Sequence, residues 1–325
     1  MTVPTNTYQV YTQTNVREDL INAIYNVDPY KTPLLNMAKK TEANQTYHEW
    51  NIDGLAAQNL ANAAVEGDVP TNQVVNPTGR QGNYCQISNK TIEISGTSQA
   101  VVAAGGTNKM GYQLLKKSKE LKRDMEGILT ANAAKAAGSS STARISAGLP
   151  SWVLTNSTFG TGGVAPTGVT TVGTSTFGNG TTTRTNGTNA AITEAQVKTV
   201  LQKIYTASGE SPEYALCSPV NKQNISAFTG PGTRFIEVED KVLQTAVDVY
   251  ESDFGDVKII PDIFLARSGD IYYINPNYIR VAYLRPFQTI PLAKIADADQ
   301  KMLLVEWSLE VGNEHAHGAN YDTTG

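Results

Sequence analysis

Two strand-like segments separated by about thirty residues that cannot form a core constrain this chain more than any other feature. Thr46 to Ile52 alternates, with His48, Trp50 and Ile52 on one face and Tyr47, Glu49 and Asn51 on the other, as a strand requires. The second segment runs from Tyr84 to Ser95, and its apolar residues change parity: Cys85 and Ile87 share one face, Ile92 and Ile94 the other. Either a bulge intervenes or both faces are covered. The connection is rich in Ala, Asn and Val, contains Gly67, Pro70 and Pro77, and supplies no set of large apolar groups. A hairpin of that length is unstable alone in water, so it must lie on another surface, of this chain or of a second one.

Composition leaves both options open. Charged residues make up 17 % of the 325 residues, against about 25 % in an average globular protein. A surface of Thr, Asn, Gln, Ser and Gly loses less than one of Lys and Glu when neighbours desolvate it; a monomer with a neutral surface has the same composition. The net charge of −4 and pI near 5.5 argue against tight nucleic-acid binding. One face could still touch confined DNA loosely. Cys85 and Cys217 fit neither a Cys-x-x-Cys nor a zinc spacing and read as small buried hydrophobes in a reducing compartment. No basic start with an apolar run begins the chain, and no segment approaches the roughly 20 apolar residues that span a bilayer. Folding in a cytoplasm is expected.

Along the chain, residues 1–44 read as an extended polar arm with Pro4, Pro29 and Pro33 and one short helix, Val16 to Ile24. Thr107 or Asn108 can cap a helix from 108 to 137, a rod of roughly 40 Å at 1.5 Å per residue. Leu114, Leu121, Met125, Ile128 and Leu129 form its buried stripe, and Lys116 with Glu120 and Glu120 with Arg123 its exposed pairs. From 156 to 190 the composition shifts to Thr and Gly with a single charge, Arg184, and Ser157–Gly160 is repeated as Ser175–Gly178. This loop or insertion is expected on the exterior or at a symmetry contact, and replacing 160–187 with a short linker is expected to leave folding intact. A second unit opens with the capping box Thr193-x-x-Gln196, continues with the stripe Val197, Val200, Leu201, Ile204 and Tyr205, and closes at Gly209. Tyr214–Cys217 reads as a buried strand, Ser218-Pro219 as a helix start, and 257–260, 271–274, 278–284 and 302–311 as strands. The fold class is α+β.

The chain offers little for catalysis. His48 and Glu49, adjacent in a strand, point to opposite faces and cannot act as a pair, so His48 should pack beside Trp50. In an extended chain His315 and His317 would share one side near Glu314, a metal pair without an evident third ligand. Gly160-x-Gly162-x-x-Ala165 follows no strand and precedes Pro166, which rules out a dinucleotide turn. A metal-dependent hydrolase using the two histidines and a carboxylate is the weaker functional alternative; no catalytic, metal or cofactor site is expected.

Seven segments, in order, resemble a family of tailed-phage major capsid proteins. They are Gly82–Thr97, Lys119–Glu126, Ala143–Trp152, Tyr250–Gly255, Leu284–Pro286, Pro291–Lys294 and Glu306 through Asn313-Glu314. The resemblance spans roughly 45 to 315 and leaves out 156–190. It implies the Hong Kong 97-type capsid fold. Residues 1–44 would be the N-terminal arm, 45–107 the extended loop and the start of the peripheral domain, and 108–155 the spine helix with more of that domain. Residues 191–256 would form the axial domain, with the strands of 257–325 returning through both. In that fold loop and arm lie across adjacent subunits, which makes Trp50, Ile52, Tyr84, Ile87, Ile92 and Ile94 the candidate intersubunit contacts. The implied function is an icosahedral head shell built from hexamers and pentamers of the chain around double-stranded DNA, in a virion assembled in a bacterial cytoplasm. The implied partners are a separate scaffolding protein, where one is needed, a portal and decoration proteins, with no membrane. An encapsulin-like nanocompartment shell is the alternative of the same fold.

Overall fold

The structure is a computed structural model that describes residues 28–69, 72, 75, 77–101, 109–228, 248–294 and 296–325. The expected helix at Val16 to Ile24 and the cap at Thr107 or Asn108 lie outside the described residues. Helix α1 (Pro33–Met37) and strand β1 (Lys39–Glu42) come first, then the antiparallel pair β2 (Tyr47–Ile52) and β3 (Gly79–Tyr84), strand β4 (Gln86–Ser95), and helices α2 (Gly96–Ala100) and α3 (Lys109–Leu129). The Thr/Gly segment contains β5 (Ser157–Thr158) and the hairpin β6 (Val169–Val172) and β7 (Ser175–Gly178). Helix α4 (Glu194–Ser208), β8 (Tyr214–Cys217), helix α5 (Pro219–Ser226), β9 (Val249–Ser252), β10 (Gly255–Pro261), β11 (Ile271–Ile274), β12 (Ile279–Pro291), β13 (Ala298–Val311) and β14 (Gly318–Asn320) complete the order.

Two sheets organise these elements. One has four strands in the order β1-β12-β13-β4; the other has six, β5-β14-β11-β8-β10-β9. The predicted α+β class holds, and the reason is visible in the strands. Leu303, Val305, Trp307, Leu309 and Val311 fill one face of β13 and join Leu121, Met125 and Leu129 of α3 in the main core. That core continues to Leu216, Tyr272 and Ile274, so the same cluster binds the two sheets together. The opposite face of the six-stranded sheet, with Ala215, Cys217, Val257, Ile259, Ile271 and Tyr273, receives Val197, Val200, Leu201 and Ile204 of α4. A strand buried on both faces has to be apolar throughout, and β11 reads Ile-Tyr-Tyr-Ile.

The capping box of α4 is present, with Thr193 accepting from the Gln196 amide and the Gln196 side chain accepting from the Thr193 amide; Gly209 closes the helix at φ 73°. Ser218 caps α5 with Pro219 in its first turn. Elsewhere the structure departs from expectation. Helix α3 ends at Leu129, not at 137, although the next residues are rich in alanine. Tertiary hydrogen bonds take over that backbone: the Lys135 N–H donates to the Gly180 carbonyl at 2.8 Å and Ala136 pairs with Ile145, while the Asn132 side-chain amide donates to the Arg184 carbonyl at 2.9 Å. On its exposed side the ion pair is Lys117–Glu120, not Lys116–Glu120. The end of the expected arm is docked: Leu34 is fully buried and β1 pairs in parallel with β12.

The Thr/Gly segment is also docked, on its own chain. Val172 and Phe177 are buried against Ile52. Gly178 and Gly180 lie on Trp152: a Cβ on Gly178 would fall 2.0 Å from the Trp152 carbonyl oxygen, and Gly180 combines φ 69° with a Cβ position 2.9 Å from the indole. Only glycine fits either place.

Candidate intersubunit surface

The surface around the long hairpin is built from a fixed root and an uncovered end. At the root, Trp50 packs on Trp152 with ring centroids 5.4 Å apart, and the Tyr47 and Tyr84 rings meet across β2 and β3 at 4.5 Å, tilted by 43°. Asn83, fully buried, donates to the Ser146 hydroxyl at 3.1 Å and the Leu309 carbonyl at 2.8 Å and accepts from the Ala147 N–H at 2.9 Å. Lys135 donates to the Gly82 carbonyl at 2.6 Å. These bonds clamp β3 to β13 and to the segment after α3. Asn83 escaped the sequence reading because an asparagine next to a glycine looks like a turn residue.

The parity change between Cys85 and Ile92 resolves as a change of sheet. The expected single strand Tyr84 to Ser95 is two: β3 ends at Tyr84 on β2, and β4 pairs with β13 through the other sheet. Within β4 the residues Gln86, Ser88, Lys90, Ile92 and Ile94 turn inward, which leaves Ile87 on the outer side, 45 % exposed. The six candidate contacts therefore divide. Ile52 and Ile92 are buried within this chain, Trp50, Tyr84 and Ile94 are half-buried, and Ile87 is open.

Beyond the root, residues 53–69 carry no strand, and their apolar groups have nothing over them: Leu55 is 89 % exposed, Leu60 88 %, Val65 76 % and Val69 82 %. Scattered exposed apolar residues are ordinary, but a run of them on one projecting segment marks a binding surface.

The polar face of β13 lies beside the root. Glu306 pairs with Arg144 and, at 2.7 Å, with Arg285; Glu310 pairs with Arg280 at 2.7 Å and with His48 Nε2 at 3.0 Å. Burial raises the Glu310 pKa, but the hydrogen bonds from His48 and Arg280 outweigh it and hold the carboxyl below its ordinary value. His48 sits beside Trp50 as expected, 5.8 Å between rings.

The histidines near the end of the chain are separated by a 3-10 turn, Glu314–Ala316, not aligned on an extended chain. The His315 ring stacks on Phe177 at 4.5 Å and its Nε2 lies 3.1 Å from the Thr176 carbonyl oxygen. His317 is fully buried, its Nδ1 accepts from the Asn275 N–H, and burial pushes the imidazole down to about 4. Glu314 is occupied by the Leu154 and Thr155 amides and the Thr155 hydroxyl. Among the described residues no three metal-ligating side chains converge. No helix among them is long and apolar enough to cross a membrane.

The family model described as SU10 major capsid protein matches residues 3–324. The major capsid protein of Escherichia phage Phieco32 is 35 % identical over 125 residues, which is 38 % of this chain and 36 % of that relative's length. Among solved structures, a chain of the cyanophage A-1(L) capsid asymmetric unit superposes with a TM-score of 0.62 at 14 % identity, covering 98 % of this chain and 100 % of that one. A chain of Microbacterium phage Oxtober96 reaches 0.59 at 10 % identity over 95 % and 96 % of the two chains, and one from the capsid of a native GTA particle 0.62 at 10 % over 98 % and 100 %. At these identities the likeness shows the fold, and the fold is that of phage capsid subunits. With a family model matched from one end of the sequence to the other, this chain belongs to the SU10 major capsid protein family.

Proposed function

We propose that the chain is the shell subunit of a phage head, assembling as hexamers and pentamers around double-stranded DNA and performing no catalysis of its own. The observation that carries this reading is the uncovered apolar run from Leu55 to Val69, set on a root that the rest of the chain holds rigid. Covering one large side chain contributes roughly 1.5 to 3 kcal/mol, so a neighbour that covers several outweighs the cost of ordering the segment. A second copy of the same chain is the partner a closed shell supplies. In this reading residues 45–107 carry the extended loop, 108–155 the spine and peripheral domain, 191–256 the axial domain, and Ile87 with the half-buried Trp50, Tyr84 and Ile94 lies at or near the contact. A scaffolding protein, a portal and decoration proteins are the further partners of such a shell.

Hydrogen exchange on the isolated subunit and on assembled particles tests it. Amides of residues 54–69 should exchange fast in the subunit and become protected in the particle, while β2 and β3 are protected in both. Equal exchange of 54–69 in the two states refutes the intersubunit role.

A further inference from the structure

Helix α3 carries a charge imbalance. Lys109–Leu129 holds six basic and three acidic residues, whereas the rest of the chain holds 20 and 27. At 3.6 residues per turn, Lys116, Lys119 and Arg123 fall on one face, opposite the buried Leu121 and Met125. The acids of the helix are already engaged. Glu120 pairs with Lys117 at 2.7 Å, Asp124 with Lys90 at 2.5 Å, and Glu126 is buried beneath α1, where it accepts from two backbone amides. Lys109 is also spent, on the carbonyls of Ser98 and Val101.

Four cations of the helix remain, Lys116, Lys119, Lys122 and Arg123, and Lys116, Lys119 and Arg123 are the three that share the face opposite the core. The Lys119 ammonium lies 4.4 Å from the centre of the Tyr30 ring and the Arg123 guanidinium 4.7 Å from that of Phe264, so aromatic faces position two of the three charges, and the third, Lys116, is exposed. Beside them runs a groove of about 200 Å³, lined also by Asp28 and Glu120 and flanked by Tyr30 and Tyr112, which are 53 % and 42 % exposed. Successive cations along the stripe are about 4.5 and 6 Å apart in helix rise, each step inside the Debye length of about 8 Å at physiological salt, so they act on a polyanion together. They form no fork around a single carboxylate. A line of point charges with phenol hydroxyls alongside is suited to the repeating phosphates of a nucleic-acid backbone, which are bound without reading sequence.

We propose that this face of α3 is a sequence-independent contact for the phosphates of duplex DNA, and therefore the face the subunit turns toward the lumen of the shell. The inference rests on the shell reading above for its geometry, but the binding itself can be measured without a shell.

The test is fluorescence anisotropy of a mixed-sequence duplex with unassembled subunit across a salt series. The triple variant Lys116→Gln/Lys119→Gln/Arg123→Gln should bind at least about tenfold more weakly at low salt, and the slope of log K against log salt should fall by about 2 to 3, near 0.9 for each contact removed. A control set on the second unit, Lys198→Gln/Lys222→Gln/Lys258→Gln, should leave both quantities unchanged, and Lys116→Arg/Lys119→Arg should keep them. Circular dichroism shows whether the triple variant is folded; if it is not, Lys116→Gln alone, on an exposed residue, should still lower the slope by about 1. Equal slopes in parent and variants overturn the proposal. So does a subunit that binds polyglutamate but not the duplex, which would assign the face to an acidic protein. Electron microscopy separates the two readings: closed shells from a variant that has lost DNA binding support both, loss of shells with DNA binding intact makes the stripe a subunit contact and overturns this one, and a parent chain that forms no shells sinks the shell reading alone.

Discussion

Arg184 is the only charge in a segment of Thr and Gly, and it is fully buried. Its guanidinium meets both oxygens of Asp270 at 2.9 and 2.7 Å and Asp322 at 3.2 Å, and lies 4.1 Å from the Tyr321 ring. Asp322 adopts φ 60°, a left-handed conformation that costs a non-glycine residue energy and is repaid here by the Gly187 amide and Arg267. Removing one partner of a buried pair strands the others: Arg184→Met should cost about 3 to 5 kcal/mol in chemical denaturation, while breaking the exposed pair Lys198–Glu194 should change stability far less. A buried carboxyl has a pH signature. Glu126 accepts from the Leu34 and Leu35 amides at 2.6 and 2.8 Å. Burial, opposed by those amides and reinforced by the neighbouring Asp262 carboxyl, pushes its pKa from 4.5 up to about 8. Because the folded state holds this proton more tightly than the unfolded chain, the contribution is complete below about 4.5 and is lost as pH rises toward 8. The stability of Glu126→Gln relative to the parent should therefore rise across that window and level off above it. The amide, which offers one acceptor where the carboxyl offers two, should cost about 1 to 3 kcal/mol at low pH. A constant difference between the two pH profiles would show that Glu126 is ionised throughout.

At the scale of elements, the Thr/Gly segment determines where its neighbours end. Its backbone carbonyls receive the Lys135 N–H and the Asn132 side-chain amide, which hold the chain off the helical path after Leu129, and its hairpin β6–β7 covers the inner face of β2 through Val172 and Phe177. Replacing 160–187 with a short linker removes Phe177, Arg184 and the glycines that meet Trp152, and should leave the protein insoluble or strongly destabilised; a melting temperature near that of the parent would make the segment dispensable. At one position, Gly178→Ala should cost about 1 to 3 kcal/mol, since the Trp152 carbonyl occupies the place of the new methyl. Composition hid this role because such glycines are needed for contact with a tryptophan about thirty residues away in sequence, and a local reading of Gly and Thr sees only a loop.

For the whole molecule, the main core shared by the two sheets makes the subunit one body, and the projecting loop is the part it leaves uncovered. Deleting 56–78 removes that loop without touching β2 or β3, so the variant should remain soluble and close to the parent in stability, yet form no closed shells by sedimentation or electron microscopy. Normal particles from the deletion would remove the loop from assembly.

The sequence by itself determined the elements whose causes are local. The capping box at Thr193, the stop at Gly209, the apolar β11, the alternation in β2 and β13 and the Ser218-Pro219 helix start each depend on residues within one or two turns. It also marked Cys85 to Ile92 as a break, and the order of its segments carried the capsid resemblance. Only the tertiary structure decided which sheet each side of that break would join, where α3 would stop, that Asn83 and Glu126 would be buried, and that Arg184 would find two aspartates far along the chain. The physical reason is the same in each case: a buried polar group or an uncovered backbone carbonyl is satisfied by whatever the fold brings next to it, and its partner's identity is set by long-range packing that no window of sequence contains.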